Sequence, residues 1–379
     1  MQGELCDVLV VGAGVAGVAA AVKAARRGGK TILVERNNFL GGEVISGMHA
    51  HLCGLYLNEV LSLSNNGIAR EVTEKLLKVG AYAEPMGKVN VLRFNALDLI
   101  GALKTIAQHK NLKVYYQSYA QTTMVKNNII TGVKVKLKNK DAQIIPRVVI
   151  DASGAIMKNI PRAVLKNNGP QPLGGYAFKI KVGAWDQFSG VKIGYVLTQA
   201  VKQKKFPWYY RFTYTAQLDR QTVIIKLGMP CTPANYKYAV FHARRVFDYL
   251  KKTLPELRLT KILKYGTLLE RAGARLNGKI ILSAVDVTQG KKYHSDVAAH
   301  GAWPMEFWGK NGVEYIYPQR NYYDIPAGCL KSKTINNLLA AGRFISADVK
   351  ALASARVAGI CLATGDAAGN LAYEYLSNH

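Results

Sequence analysis

The sequence predicts an α/β fold into which a separate α+β segment is inserted. Two apolar runs, residues 8–11 and 31–34, flank a glycine-rich turn and an alanine-rich stretch, which is the pattern of a strand, a helix and a parallel strand. A third apolar run at 148–150 is predicted to return to the same sheet. From about 156 to 325 strand-like runs are followed by a helical block, which indicates an α+β segment.

Periodicity and turn residues predict the other elements. Apolar residues repeat at helical spacing after Ile68 and after Leu97, and the second stripe is expected to bury Leu97, Ile100, Leu103 and Ile106. The further predicted elements are a β-meander at 119–150, strands at 176–182, 192–198, 209–217, 221–227 and 279–283, and a helical block at 233–254.

The first 35 residues carry the strongest functional signal. Gly12 is expected to make a tight turn, Gly14 to let a pyrophosphate approach the backbone, and Gly17 to let the helix pack on the strand. The helix N-terminus then faces the phosphates with free N–H groups, and Glu35 is placed to accept from a ribose hydroxyl. This favours dinucleotide binding over an ordinary glycine-rich turn, although the pattern does not separate NAD from FAD.

Other motifs narrow the family. In chain order they are Glu35-Arg36-x(3)-Leu40-Gly41-Gly42, Asp151-Ala152-Ser153-Gly154, Tyr323-x-Ile325-Pro326 and Asn337-Leu338-Leu339-x-Ala341-Gly342-Arg343. In this order and spacing they resemble the FAD-dependent oxidoreductases of the glutathione-reductase-like fold, and among these a poorly characterised Leu-Gly-Gly and Asn-Leu-Leu-x-Ala-Gly-Arg group. The resemblance covers roughly the first 155 and the last 60 residues and implies a Rossmann-type FAD-binding domain.

The resemblance also implies which residues contact FAD. They are Gly12, Gly14, Ala16, Gly17, Glu35, Arg36, Gly41, Gly42, Ala120, Ser153, Gly154, Gly342, Arg343, Arg356, Val357 and Ala358. Ser153 and Gly154 stand where the family has a Thr-Gly pair. A helix beginning near Arg356 would point its N-terminus at the pyrimidine end of the flavin, where the reduced ring carries negative charge.

The domain organisation follows from the same motifs. Residues 1–155 and 326–379 are expected to form the FAD-binding domain, and residues 156–325 a basic substrate or cap domain. The glycine pattern of a second dinucleotide-binding unit is missing from the sequence. A separate NAD(P)H domain is therefore not expected, and electrons should come from the substrate or pass to an external acceptor.

The charge is concentrated in the middle of the chain. The net charge is +27, and residues 156–335 hold 29 Lys and Arg against 10 Asp and Glu, a net charge of +19. Such a surface attracts anions. We expect an anionic or carrier-protein-bound substrate and an acidic protein partner, with nucleic acid a weaker alternative and a plain solvated basic surface the simplest one.

Candidate catalytic residues lie on segments that the resemblance places near the flavin. His49 and His51 are candidates for the base, and either of them or Cys53 for covalent attachment to the flavin. Arg320 could clamp an anion and Tyr322 could donate to an oxyanion. The competing interpretation is that these are packing or surface residues.

The expected activity is therefore that of an FAD-dependent oxidoreductase: a dehydrogenase, desaturase or oxidase. A flavin monooxygenase, or a flavoprotein that binds or modifies nucleic acid, is the alternative. Metal sites are not expected, because the five cysteines are scattered and form no CxxC pair. A membrane span is not expected either, since apolar runs of 18 residues are missing, and the protein is expected to be cytoplasmic.

Overall fold

The computed structural model describes residues 3–165, 171–183, 189–310 and 312–378. The strands are β1 Glu4–Val11, β2 Thr31–Val34, β3 His51–Leu52, β4 Tyr82–Met86, β5 Val89–Arg93, β6 Leu112–Tyr115, β7 Ser118–Lys126, β8 Ile129–Leu137, β9 Lys140–Asp151, β10 Gly174–Lys181, β11 Thr213–Asp219, β12 Thr222–Met229, β13 Lys261–Tyr265, β14 Val297–Gly301, β15 Met305–Gly309, β16 Gly312–Ile316, β17 Tyr323–Pro326 and β18 Leu338–Ala340.

The helices connect and cover these strands. They are α1 Val15–Arg26, α2 Gly42–Ser46, α3 Ile68–Leu77, α4 Ala96–Ile106, α5 Ala155–Lys158, α6 Ser189–Lys202, α7 Pro233–Thr253, α8 Ala284–Thr288, α9 Val349–Ala355 and α10 Ala358–Asn378. Short 3-10 turns lie at Pro161–Ala163, Trp208–Arg211, Pro255–Leu257, Ala327–Cys329 and Gly342–Phe344.

A mostly parallel sheet forms the centre of the larger unit. Its order is β6-β2-β1-β9-β8-β7, and β18 pairs with the C-terminal half of β9. The strand β1 runs parallel to both β2 and β9, so that Val10 lies between Leu33 and Ile150. The predicted α/β fold is confirmed, and the carboxyl ends of β1, β2 and β9 meet at one edge, where α/β proteins bind ligands.

Helices α1 and α10 cross closely on one face of this sheet. A side chain at Gly365 would overlap the carbonyl oxygen of Ala16, and one at Gly369 would overlap that of Ala20. The glycines of α10 thus let its backbone lie directly against α1. This contact places α10 directly against α1, the helix that follows the glycine turn.

The middle segment has its own antiparallel sheet and its own core. The sheet order is β11-β12-β10-β13. Helices α6 and α7 cover one face of this sheet, and the core between them consists of side chains from residues 176–268. Buried residues from Ala272 to Met305 instead join the core of the larger unit. The domain boundaries at 155 and 326 stay a prediction. The separate apolar core, at residues 176–268, spans fewer residues than the predicted cap domain at 156–325.

Four of the predicted elements are wrong in detail. The strand predicted at 209–217 begins only at Thr213, since Trp208–Arg211 form a 3-10 turn. Residues 192–198 lie in helix α6, because Ile193, Leu197 and Ala200 are buried at helical spacing, whereas a β-branched composition had favoured a strand. Residues 279–283 form no strand. Helix α4 turns Leu97 outward, at 75% exposure, and buries Leu99 instead.

The helices of the described residues do not meet the requirements of a membrane span. None of them is both long enough and apolar enough to cross a membrane.

The helix crossing predicts opposite effects for two glycine-to-alanine changes. We expect Gly365→Ala to lower the free energy of unfolding by about 2 kcal/mol, because the new methyl group overlaps backbone that cannot move freely. The control is Gly101→Ala in α4, where a Cβ meets nothing and alanine should stabilise the helix by about 0.5–1 kcal/mol. Urea denaturation measures both, and stabilisation by both variants would contradict the close crossing.

Candidate active site

One large cleft lies where the two units meet. Its volume is about 890 Å³, and it is lined both by the glycine loops of the larger unit and by strands β11 and β12 of the middle sheet. This volume is within the range of pockets that bind cofactors and substrates. The cleft therefore has a nucleotide end and a middle-sheet end.

Two glycine loops form the nucleotide end almost entirely from backbone. Gly14 precedes α1 in an extended conformation with no side-chain cap, and a Cβ placed there would meet nothing within 4 Å. Gly41 and Gly42 have φ of +102° and +51°, and Gly14 bridges to Gly41. The uncapped N–H groups of α1 and the open space at Gly14 fit a pyrophosphate, as the sequence predicts.

Glu35 fixes the shape of this end. Its carboxylate accepts from the backbone N–H of Ala13 at 2.6 Å and from the backbone N–H of Asn37 at 2.8 Å, and the residue is 4% exposed. One carboxylate thus ties the glycine turn to the loop after β2. Its remaining acceptor capacity leaves the predicted contact with a ribose hydroxyl open.

The structure brings most of the predicted cofactor residues into the cleft lining. The lining residues among them are Gly12, Gly14, Ala16, Glu35, Arg36, Gly41, Gly42, Ala120, Ser153, Gly342, Arg343, Arg356, Val357 and Ala358. Gly17 and Gly154 are outside this lining. At Gly17 a side chain would overlap the carbonyl of Gly12, so this glycine supports the turn rather than facing the cleft.

The N-terminus of the long helix α10 opens into the cleft. Val357 and Ala358 line the cleft at the first turn, and Arg356 ends the preceding helix α9. Beside them Arg343 donates to Glu43 at 2.6 Å and to the carbonyl of Glu270. A helix N-terminus at this place stabilises negative charge, and its contact with the flavin stays a prediction.

The middle sheet presents a polar residue that sequence reasoning missed. Along β12 the side chains of Val223, Ile225 and Leu227 enter the core of the middle segment, while Ile224 and Lys226 face the cleft. Lys226 extends over Gly175 of β10, whose missing side chain leaves room for it. A lysine inside an otherwise apolar strand was the signal that could have found it.

Glu306 joins three side chains that the sequence analysis also missed or assigned elsewhere. Arg271 lies 3.5 Å from the Glu306 carboxylate and stacks 4.6 Å from the ring of Trp308, whose indole N–H donates to the same carboxylate. Arg356 donates to the backbone carbonyl of Glu306 at 3.5 Å. Together with Lys226, the residues Arg271, Arg356, Glu306 and Trp308 form what we call the cation cluster.

The cation cluster has more positive than negative charge. Burial and the nearby Arg271 lower the pKa of Lys226 to about 8 and that of Arg356 to about 10. Burial alone would raise the pKa of Glu306, but Arg271 and Arg356 outweigh it and the pKa is lowered. Glu306 is therefore ionised at neutral pH, and it faces three cations.

The two predicted histidines line the cleft in different surroundings. Burial, followed by the charges of Lys226 and Arg271, lowers the pKa of His49 well below its usual value. His51 pairs with Glu84 at 2.6 Å, and its pKa is lowered mainly by burial. Cys53 lies in the cleft too, but burial raises its thiol pKa to about 12, so that the nucleophilic thiolate is disfavoured.

The structure places the other two predicted catalytic residues outside the cleft lining. Arg320 is exposed after β16, and the ring of Tyr322 lies 4.7 Å from that of His300. His300 in turn bonds to the buried Asp324 at 2.8 Å across the pair β14 and β17. The catalytic roles of Arg320 and Tyr322 stay predictions, and the chemistry proposed below does not use them.

The nucleotide end predicts a selective loss of cofactor. We expect Gly14→Val to fold normally, because the new side chain enters open space in an allowed conformation, and to lower FAD affinity at least ~10-fold by filling the pyrophosphate position. Titration with FAD and thermal unfolding without FAD measure the two effects. Unchanged FAD uptake would show that the pyrophosphate lies elsewhere.

Comparisons with solved structures agree with this architecture. A geranylgeranyl bacteriochlorophyll reductase-like protein from Thermoplasma acidophilum is 15% identical, with a TM-score of 0.54 over 100% of this chain and 80% of that chain. The flavin-dependent brominase Bmp2 is 11% identical, with a TM-score of 0.50 over 99% and 80%. At these identities the likeness shows the fold alone.

Family comparison identifies the class of protein. No curated protein matches the chain. A family model described as FAD dependent oxidoreductase matches residues 7–156 and 196–378, which is most of the sequence and includes both glycine loops, β12 and the start of α10. The chain therefore belongs to the FAD-dependent oxidoreductase family, with FAD as its cofactor.

Proposed function

We propose that the protein is a dehydrogenase, desaturase or oxidase that removes a hydride and a proton from an anionic substrate. The observation that carries this proposal is the single cleft, in which a dinucleotide cradle and the cation cluster share one space. A substrate held at the middle-sheet end would lie against the flavin end of the cofactor. The cations supply the attraction for negative charge.

The residues present fit FAD. The N–H groups at the start of α1, the side-chain-free positions Gly14 and Gly42, and the N-terminus of α10 would hold its phosphates and its flavin. When bound, FAD would accept the hydride, which carries both electrons. The protein then has to orient the substrate, exclude water and accept the remaining proton.

His49 is the best placed proton acceptor. It lines the cleft, and burial together with neighbouring cations keeps it neutral, so that its ring can take a proton. Those cations also make it a weak base while the cleft is empty. An anion bound beside Lys226 and Arg271 would offset their charge and raise the basicity of His49, which couples proton removal to substrate binding.

The source of the electrons separates this proposal from a monooxygenase. The sequence contains one glycine pattern for dinucleotides, at residues 12–17, and FAD would occupy that unit. A monooxygenase would need NAD(P)H as an external reductant, whereas a dehydrogenase or oxidase takes electrons from its substrate. We therefore favour substrate oxidation.

Anaerobic reduction of the FAD-loaded protein tests the proposal. We expect members of a library of organic acids to bleach the flavin absorbance, while NADH and NADPH do not. His49→Ala should retain flavin but slow this reduction about 100-fold, which is a usual contribution of a general base. The control is His294→Ala, because His294 lies outside the cleft lining. Rapid reduction by NADPH alone would instead indicate the monooxygenase.

We also propose that the exposed face of α7 binds an acidic protein. The α7 surface consists of Lys237, Tyr238, Phe241, Arg244, Arg245, Asp248 and Lys252, so that its cations outnumber its one carboxylate. Phe241 is 60% exposed and Tyr238 49%. Among the described residues none of these cations lies within ion-pair distance of a carboxylate. Aromatic side chains surrounded by arginine are typical of protein interfaces and favour a protein over RNA.

Charge reversal tests the α7 surface. We expect Arg244→Glu with Arg245→Glu to weaken binding of poly-L-glutamate about tenfold at low salt, a loss of ~1.4 kcal/mol. The control is Lys134→Glu with Lys140→Glu, which makes the same change of net charge on the meander of the larger unit. Equal losses in both variants would indicate a general effect of charge, and preferential binding of an RNA oligonucleotide would favour the nucleic-acid alternative.

A further inference from the structure

We propose that the middle-sheet end of the cleft is a carboxylate subsite, built by Lys226, Arg271 and Arg356, for a substrate whose carboxylate is carried by a flat, apolar body. The proposal rests on the proposed function, since it names the substrate class of the same cleft. It adds the three cationic donors and a flat, apolar carboxylate as the ligand.

The first argument is the excess of positive charge. Three cations surround Glu306, and Arg343 is already paired with Glu43. The guanidinium groups of Arg271 and Arg356 cannot discharge at neutral pH, and unpaired charge away from bulk water is costly. A bound anion would supply the missing negative charge.

The second argument is a set of donors without partners. The Nε atoms of Arg271 and Arg356 and the indole Nε1 of Trp303 are buried and make no hydrogen bond within the described structure. Trp303 is 5% exposed, and all three residues line the cleft. Buried N–H groups in folded proteins are nearly always paired, so these side chains are expected to turn toward an acceptor when one enters the cleft. A carboxylate offers two acceptor oxygens in the planar geometry that arginine matches.

The third argument concerns the rest of the ligand. Aromatic side chains line the cleft around the cation cluster: Phe212, Tyr214, Trp303, Trp308, Tyr315 and Tyr317. Phe212 and Trp308 meet edge to face with centroids 5.7 Å apart. These rings can cover a flat apolar group.

Glu306 then acts as an internal competitor for the arginines. Its carboxylate lies 3.5 Å from Arg271, and its charge also acts on Lys226 and Arg356. An incoming carboxylate shares these cations with it. Neutralising Glu306 should therefore tighten the binding of anions, whereas neutralising a cation should weaken it.

Isothermal titration of the FAD-loaded protein with three probes tests the subsite. Benzoate has the charge and the flat body, benzamide has the body without charge, and acetate has the charge alone. We expect benzoate to bind at least ~10-fold more tightly than either, a difference of ~1.4 kcal/mol. Lys226→Met and Arg271→Gln should each reduce benzoate to the affinity of benzamide, and Glu306→Gln should increase it.

The pH dependence provides an independent readout. Lys226 is protonated below about 8, so benzoate affinity should fall as the pH rises through that value. In Lys226→Met this fall should disappear. The matched control is Lys264→Met on β13, an exposed lysine of the same sheet outside the cleft, which should behave as the unmodified protein.

Several results would overturn the subsite. The first is equal affinity for benzoate and benzamide, and the second is unchanged binding in both cation variants. The third is weaker binding in Glu306→Gln, and the fourth is no binding of any probe at millimolar concentration. The proposed function fails separately, since it requires flavin reduction by a substrate, which the titrations do not involve. Protein that retains FAD but binds no probe would thus lose the subsite and keep the family activity.

Discussion

The architecture depends on backbone segments that touch without side chains between them. A side chain at Gly17 would overlap the carbonyl of Gly12, and one at Gly365 would overlap that of Ala16. The first contact seats α1 against the end of β1, and the second seats α10 against α1. Because both helices are fixed in this way, their N-termini reach the same cleft, and two sources of partial positive charge converge on one ligand.

The middle segment adds full charges to these partial ones. Its sheet contributes Lys226, and the chain beyond it contributes Arg271 and Glu306, so that the polar wall of the cleft combines both units. The family model matches the larger unit and most of the middle segment, and the two have different tasks. The larger unit has to fit a fixed cofactor, whereas the opposite wall has to fit a particular substrate.

Sequence reasoning succeeded where function is encoded locally. The turn at Gly12 and Gly14 could be predicted because a short glycine pattern between two strands leaves few conformations open. The cation cluster could not, since Lys226, Arg271 and Glu306 lie far apart in the sequence and meet only through tertiary packing. Each of them taken alone is an ordinary charged residue.

Local composition also misled at one element and hid a signal at another. The β-branched residues of 192–198 favoured a strand, but burial at helical spacing along α6 decided the outcome. In β12 the strand predicted at 221–227 is confirmed as Thr222–Met229, and its side chains alternate between the core and the cleft. The same alternation would have placed Lys226 on the face opposite the core.

The lowered pKa of Lys226 has a thermodynamic consequence for the whole protein. Its pKa is about 8 in the folded chain, against 10.5 for a free side chain, so unfolding between these pH values takes up a proton. Through this group stability rises with pH across that window, and below pH 8 the folded state bears the full cost of the charge. An anion bound beside Lys226 would raise its pKa again. Near pH 8, binding would then draw a proton from the buffer, and the observed heat would depend on the ionisation enthalpy of that buffer.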